Sequence, residues 1–285
     1  MNRRRFHLQL TAALIAAPAL ARATPSPTPW AAIEAASGGR LGVAVLAGDG
    51  SIDGQRLDER FPLCSTFKWL AAACVLHRVD AGAESLQRRV RFDRSALLPH
   101  SPLTAPHAGR DGMTLAQLCE AAITQSDNAA ANLLLRSLGG PPALTAFARR
   151  LGDRTTRLDR REPDLNEGRP GDPRDTTTPR AMVHALHRAL VGDALSPASR
   201  AQLARWMEAC ATDGDKLRAA LPAGWRLGSK TGSGGHGTSN DVGIFWPPSG
   251  APVLVAVYLT GSTASDAERA RAIARVAAEV TARSR

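Results

Sequence analysis

Trp69-Leu70-Ala71-Ala72-Ala73-Cys74-Val75-Leu76 is an unbroken apolar run. A helix that is apolar on every side has no face for water and must be buried. The chain therefore needs enough residues to sheath it, and 285 allow one large domain or two intimate ones. Just ahead of the run stand Ser65 and Lys68. Residues three apart share a helix face, so a hydroxyl and an amine are expected to meet at the start of this buried helix. Desolvation favours the neutral, basic amine, and a base beside a hydroxyl activates a weak nucleophile. Alone, Ser-x-x-Lys is a weak signal, because it arises by chance in many helices.

Residues 1–23 read as an export signal. Arg3-Arg4-Arg5-Phe6 precedes an apolar run from Leu8 to Leu20, and Ala21-Arg22-Ala23 fits a small-x-small cleavage site. Arg3 and Arg4 with Phe6 resemble a twin-arginine signal. The run is short for a bilayer span and Pro18 interrupts it, so cleavage, a periplasmic location and no stable membrane association are expected. The formal charge of +10 includes four arginines of this leader, which leaves +6 (10 − 4) on the mature chain. Those charges are scattered and aromatics make up only 4%. No nucleic-acid surface is read there, although a positive field could steer an anionic small substrate. Cys64, Cys74, Cys119 and Cys210 match no zinc spacing and are expected to be free thiols.

Strand-like stretches occur at 41–47, 51–56, 225–231, 241–246 and 253–260. Gly48-Asp49-Gly50, 232–237 and 247–250 read as turns between them. The middle is helical. Thr114 with Gln117 forms a capping box, Thr178-Pro179 and Ser196-Pro197 start helices, and 266–283 is a closing amphipathic helix. From Gly152 to Thr178 the helical pattern fails, and a loop that long in a compact protein is functional or disordered. Strands at both ends with helices between imply a sheet built from the two termini and an inserted helical region. Ligands bind in clefts between such regions.

Three further stretches join Ser65 and Lys68. Ser126-Asp127-Asn128 sits at a helix junction, Lys230-Thr231-Gly232 ends a strand, and Glu162-Pro163-Asp164-Leu165-Asn166 lies in the long loop. Ser-x-x-Lys, Ser-Asp-Asn and Lys-Thr-Gly in this order are the signature of class A β-lactamases and penicillin-binding proteins. The chain resembles the class A serine β-lactamases from about Trp30 to Ala282.

The resemblance implies an α/β plus all-α architecture: an antiparallel five-stranded sheet built from both termini, flanked by helices, with the active site in the cleft beside an inserted helical subdomain. The expected parts are 24–59 and 212–285 for the α/β subdomain and 60–211 for the helical one, which carries an omega-type loop at 158–175. It implies hydrolysis of β-lactam antibiotics through an acyl-enzyme on Ser65, without metal or other cofactor, by a monomer. The backbone N–H groups of Ser65 and Ser233 would form the oxyanion hole. Ser126 would protonate the leaving nitrogen, and Asn128 would bind the substrate's side-chain amide. Lys230, Thr231 and Ser233 would bind its carboxylate. Glu162, with Asn166, would hold the deacylating water; whether Lys68 or Glu162 is the base for acylation stays open. Arg160 and Asp175 would bridge the neck of the loop, and Glu162–Pro163 is expected to be cis.

Several positions depart from the family's pattern. His100 stands where a larger aromatic usually lines the mouth of the family's site, and a histidine is smaller and titrates near neutral pH. Thr238-Ser239-Asn240 lacks the arginine that often supports the substrate carboxylate. Lys216 is either a substitute for it, as a point charge rather than a fork, or a surface lysine. Cys64 faces Gly234 and Cys119 faces Ala72, where some members have disulfide partners. His184 and His187 lack further ligands for a metal and read as a solvated helix face. The rivals are a D-alanyl-D-alanine carboxypeptidase or transpeptidase, which Glu162 and Asn166 argue against, and a β-lactam sensor domain, for which no membrane-tethered partner segment is present.

Overall fold

A computed structural model describes residues 28–283; the expected leader lies outside them. Five antiparallel strands form the main sheet in the order β2-β1-β9-β8-β7. They are β1 (Arg40–Leu46), β2 (Ile52–Gln55), β7 (Arg226–Gly234), β8 (Thr238–Trp246) and β9 (Val253–Thr260); the short strands β3 (Phe61–Pro62) and β6 (Thr176–Thr177) pair with each other apart from this sheet, as do β4 (Arg89–Val90) and β5 (Met113–Thr114). The central pairing joins the two ends of the chain, with Leu46 opposite Leu254 and Arg40 opposite Thr260.

The β9 strand is buried along its whole length, and its alternation assigns its side chains to two cores. Val253, Val255, Val257 and Leu259 pack with Trp30 and Ile33 of α1 (Pro29–Ser37) and with Ile273, Val276 and Val280 of α8 (Asp266–Arg283). Leu254, Ala256 and Tyr258 face the opposite way, into the larger core of the helical region. A strand walled by apolar side chains on both faces reads as a continuous hydrophobic run, which is why its bounds were legible in the sequence.

At the centre of the helical region lies α2 (Phe67–Asp80), with every residue from Phe67 to Leu76 buried. It is sheathed by α3 (Leu115–Thr124), α4 (Asn128–Leu138), α5 (Pro141–Arg150) and α7 (Pro197–Glu208). Between the helical layer and the sheet, α6 (Pro179–Leu190) packs on β1 and β9. The capping box at Thr114 forms in both directions, and the Thr178 and Ser196 hydroxyls cap α6 and α7.

One expectation is corrected. The glycine-rich stretch from 232 is not a turn up to Gly234: Gly232, Ser233 and Gly234 extend β7 and pair with Asn240, Ser239 and Thr238. The glycines serve close approach instead. A Cβ at Gly232 would lie 3.2 Å from Ser65 N, and one at Gly234 only 2.5 Å from Asn166 O.

Candidate active site

Ser65 lies in the single 3-10 turn, Cys64–Thr66, that leads into α2. Cys64 adopts φ 45°, a costly conformation for a residue with a Cβ and one that clusters at functional sites. Ser65 and Lys68 do not bond to each other directly. Both engage one oxygen of Glu162: Ser65 Oγ donates to Oε1 at 3.3 Å, and Lys68 Nζ lies 3.0 Å from the same atom. Lys68 also donates to Ser126 O and Asn128 Oδ1, each at 2.7 Å. Burial lowers the lysine's pKa, while the charges of Glu162 and Asp127 oppose that shift.

Ser126, at φ 56°, bridges α3 and α4. Its Oγ lies 3.3 Å from Lys68 Nζ and 3.2 Å from Lys230 Nζ. In their charged forms both amines only donate, which would leave the Ser126 proton free to point into the cleft. Next to it Asp127 caps α4 through Ala130 N and accepts from the backbone of Leu103 and Thr104, each at 2.9 Å. Asn128 Nδ2 holds Pro99 O at 2.9 Å. Together these contacts fix the stretch bearing His100, itself at φ 60° with Nε2 2.7 Å from Gln125 O.

Lys230 is fully buried. Burial brings its pKa down to about 8; Cys210 and Asp241 oppose the shift, and the neighbouring cations Lys68 and Lys216 add to it. Lys216 is only 7% exposed and its Nζ has one long contact, 3.4 Å to Asn240 O. It is therefore a buried cation and not a surface lysine.

The loop bearing Glu162 is tied at several points. Arg160 Nε donates to Asp175 Oδ2 at 2.6 Å, while Asp175 Oδ1 accepts from the N–H groups of Asp159 and Arg160. Leu63 N donates to Asp175 O at 2.8 Å, which joins the loop's end to the turn of Ser65. The Glu162–Pro163 bond is cis. Asn166 Nδ2 donates to Glu162 Oε2 at 2.5 Å, and Asn166 Oδ1 is buried without a partner.

A residue not singled out in the sequence completes the arrangement. Asn132, on α4, accepts from Glu162 N at 3.0 Å and donates to Glu162 O at 2.9 Å. Its only signal was one amide in the apolar stretch from Ala129 to Leu135. Thr212 was also passed over; its Oγ1 lies 2.5 Å from Thr231 Oγ1.

These groups converge on a cleft of about 450 Å³. Ser65, Ser126, Asn128, Asn166, Thr231 and Ser233 line it, along with His100 and Lys216 at its margins. Lys68 and Glu162 lie beneath, both with fully buried side chains. The four cysteines are buried and unpaired. Among the described residues no cluster of three or more His, Cys, Asp or Glu could hold a metal, and no helix is long and apolar enough to cross a membrane.

The model of the β-lactamase enzyme family matches residues 30–283. A β-lactamase of Streptomyces albus G is 47% identical over 259 residues, covering 88% of this chain and 82% of that protein. The β-lactamase Toho-1 of Escherichia coli is 47% identical over 250 residues, covering 87% and 85%. Among solved structures, an ancestral class A β-lactamase (GNCA) superposes with TM-score 0.87 at 59% identity, covering 89% of this chain and 97% of that one. With its fold, motifs and near full-length relatives in agreement, the chain belongs to the class A serine β-lactamases and is a β-lactam hydrolase.

Proposed function

We propose that hydrolysis runs through an acyl-enzyme on Ser65. Ser65 Oγ attacks the lactam carbonyl carbon, its proton passing to Glu162 or Lys68. The oxyanion is held by the N–H groups of Ser65 and Ser233, a reading supported by the close approach of Gly232, next to Ser233, to Ser65 N. The C–N bond then breaks and Ser126 protonates the nitrogen, taking back in its place the proton abstracted from Ser65 by way of Lys68, 3.3 Å from Ser126 Oγ and 3.0 Å from Glu162, which leaves Glu162 ionised. Water attacks the ester with Glu162 as general base, and Ser65 leaves with a proton. Asn166 would share that water through its unpartnered Oδ1.

Lys230, Thr231, Ser233 and Lys216 would bind the substrate carboxylate. Asn128 would bind the side-chain amide and His100 would flank it. Arg160 and Asp175 would hold the loop, and the cleft would separate two subdomains as expected from the sequence. We further propose a monomer exported to the periplasm by the twin-arginine route, on the strength of residues 2–23, giving its cell β-lactam resistance. The observation that carries the mechanism is the shared Glu162 oxygen, 3.3 Å from Ser65 Oγ and 3.0 Å from Lys68 Nζ, with Asn166 on the other oxygen. A transpeptidase hands its acyl group to an amine and needs no base dedicated to water.

The test compares wild type with Glu162→Ala on a chromogenic cephalosporin. Rapid turnover is expected in the first, and a trapped adduct on Ser65, seen by intact mass, in the second. A wild type that acylates once and stops would overturn the mechanism.

A further inference from the structure

Cys210 is buried and serves no step above, yet its thiol ends a chain of side chains that leads into the cleft. Cys210 Sγ lies 3.4 Å from Thr212 Oγ1, which lies 2.5 Å from Thr231 Oγ1. On the far side Lys230 Nζ is 3.5 Å from Thr231 Oγ1. Cys210 is 5% exposed and Thr231 5%, while Thr212 and Thr231 line the cleft. Either atom could donate at both hydroxyl contacts, so the geometry alone leaves the direction open.

A bound carboxylate removes that freedom, because it only accepts hydrogen bonds. To bind it, Thr231 must aim its one proton outward. Thr231 Oγ1 then has two lone pairs to fill, and Lys230, a donor only, reaches one of them. The other is left to Thr212, which must donate. With its proton committed, Thr212 Oγ1 becomes an acceptor, and Cys210 S–H is the donor within reach. Every proton in the chain then points the same way, toward the substrate.

We propose that Thr212 is a positioning residue for carboxylate recognition. In this reading Cys210 S–H, Thr212 O–H and Thr231 O–H form a one-way hydrogen-bond relay that holds the Thr231 proton toward the substrate's carboxylate. The inference rests on the reading that Thr231 binds that carboxylate. Its chemical consequence is a bias: a donor already aimed at the substrate is worth more to a carboxylate, a charged acceptor, than to the carbonyl of a neutral ester at the same place.

The test uses a chromogenic cephalosporin and its methyl ester with wild type, Thr212→Val, Thr212→Ser, Cys210→Ala and Thr231→Val. Valine keeps threonine's shape and removes only the hydroxyl. For Thr212→Val the acid's KM is expected to rise about three- to tenfold with kcat little changed, as for one lost neutral hydrogen bond. The ester's KM is expected to rise less, by about twofold at most, because its carbonyl is a neutral and weaker acceptor. Thr212→Ser restores the acid's KM, and Cys210→Ala raises it by about twofold, because a thiol is a weaker donor. Equal rises for acid and ester in Thr212→Val would mean a structural role and overturn the relay. So would an unchanged KM for both substrates in Thr212→Val, where Thr231→Val alone raises the acid's KM more than the ester's. If Thr231→Val shows no such discrimination, the underlying reading of Thr231 fails, and the relay with it.

Discussion

Replacing Asn132 by alanine tests how Glu162, the proposed general base, is held. The side chain makes two contacts with the backbone of Glu162, at 3.0 and 2.9 Å. Alanine leaves both backbone groups without those partners at a half-buried site. Each unsatisfied group costs about 1–3 kcal/mol when fully buried, so partial access to water sets the sum at about 2–4 kcal/mol. For a domain of this size that lowers Tm by about 5–12 °C.

The activity loss has a different origin. Glu162 lies in a loop whose neck is tied by Arg160 and Asp175, but its own backbone is anchored to α4 through Asn132. Without that anchor the carboxylate moves relative to Ser65, and a shift of about 1 Å costs about 100-fold in rate. Deacylation should suffer more than acylation if Lys68 can serve as the acylation base. The acyl-enzyme would then accumulate, and KM would fall together with kcat. Thermal melting by circular dichroism, steady-state kinetics and intact mass after mixing with a chromogenic cephalosporin measure the three effects. A variant that melts within about 2 °C of wild type and keeps kcat within about threefold would refute the reasoning.

Two titrations give further predictions. Burial, with the neighbouring carboxylate of Asp213, pushes Asp241 up to about 7 from an ordinary 3.8. A raised acid pKa means the folded state holds the proton more tightly, so this contribution to stability is full below about pH 4 and is lost as pH rises through 7. Its size is about 4 kcal/mol. Asp241→Asn should therefore melt progressively above wild type between about pH 4 and 7 and no further beyond; a constant difference in denaturant midpoint across that range would contradict this. Lys230, brought down to about 8, should lose its charge on the alkaline side. The kcat/KM of a carboxylate-bearing substrate should fall above about pH 8 while that of its methyl ester does not, and parallel profiles for the two would remove Lys230 from carboxylate binding.

Much of the fold was readable because its signals are local. The continuous apolar run of β9, the proline-led helix starts and the apolar centre of α2 each lie within one short window. The site was readable to the extent that chemistry sits in short motifs. What escaped has partners far along the chain. Asn132 meets Glu162 thirty residues later, and nothing around Asn132 announces that pairing. Gly232 and Gly234 looked like a turn because glycine's commonest use is conformational freedom, whereas here a missing Cβ lets β7 approach Ser65 and Asn166. Lys216 had a surface reading because lysine is rarely buried, and only the packing of its neighbourhood reveals the exception. Ser65 and Lys68 share a helix face as their spacing requires, but a third residue from the distant loop comes between their polar atoms.

The pairing of Leu46 with Leu254 closes a loop of 208 residues (254 − 46). During synthesis from the N-terminus, β1 is finished long before its central partner exists. Until β9 emerges, Leu41 and Val43 on one side and Ala44 and Leu46 on the other have no sheet neighbour beyond the short β2. The growing chain therefore carries an unpaired apolar edge through most of its translation, and such an edge is a template for association with other chains. Completion of the hydrolase is thus tied to arrival of its last strand, and truncation before Val253 should yield an aggregating fragment rather than a weaker enzyme.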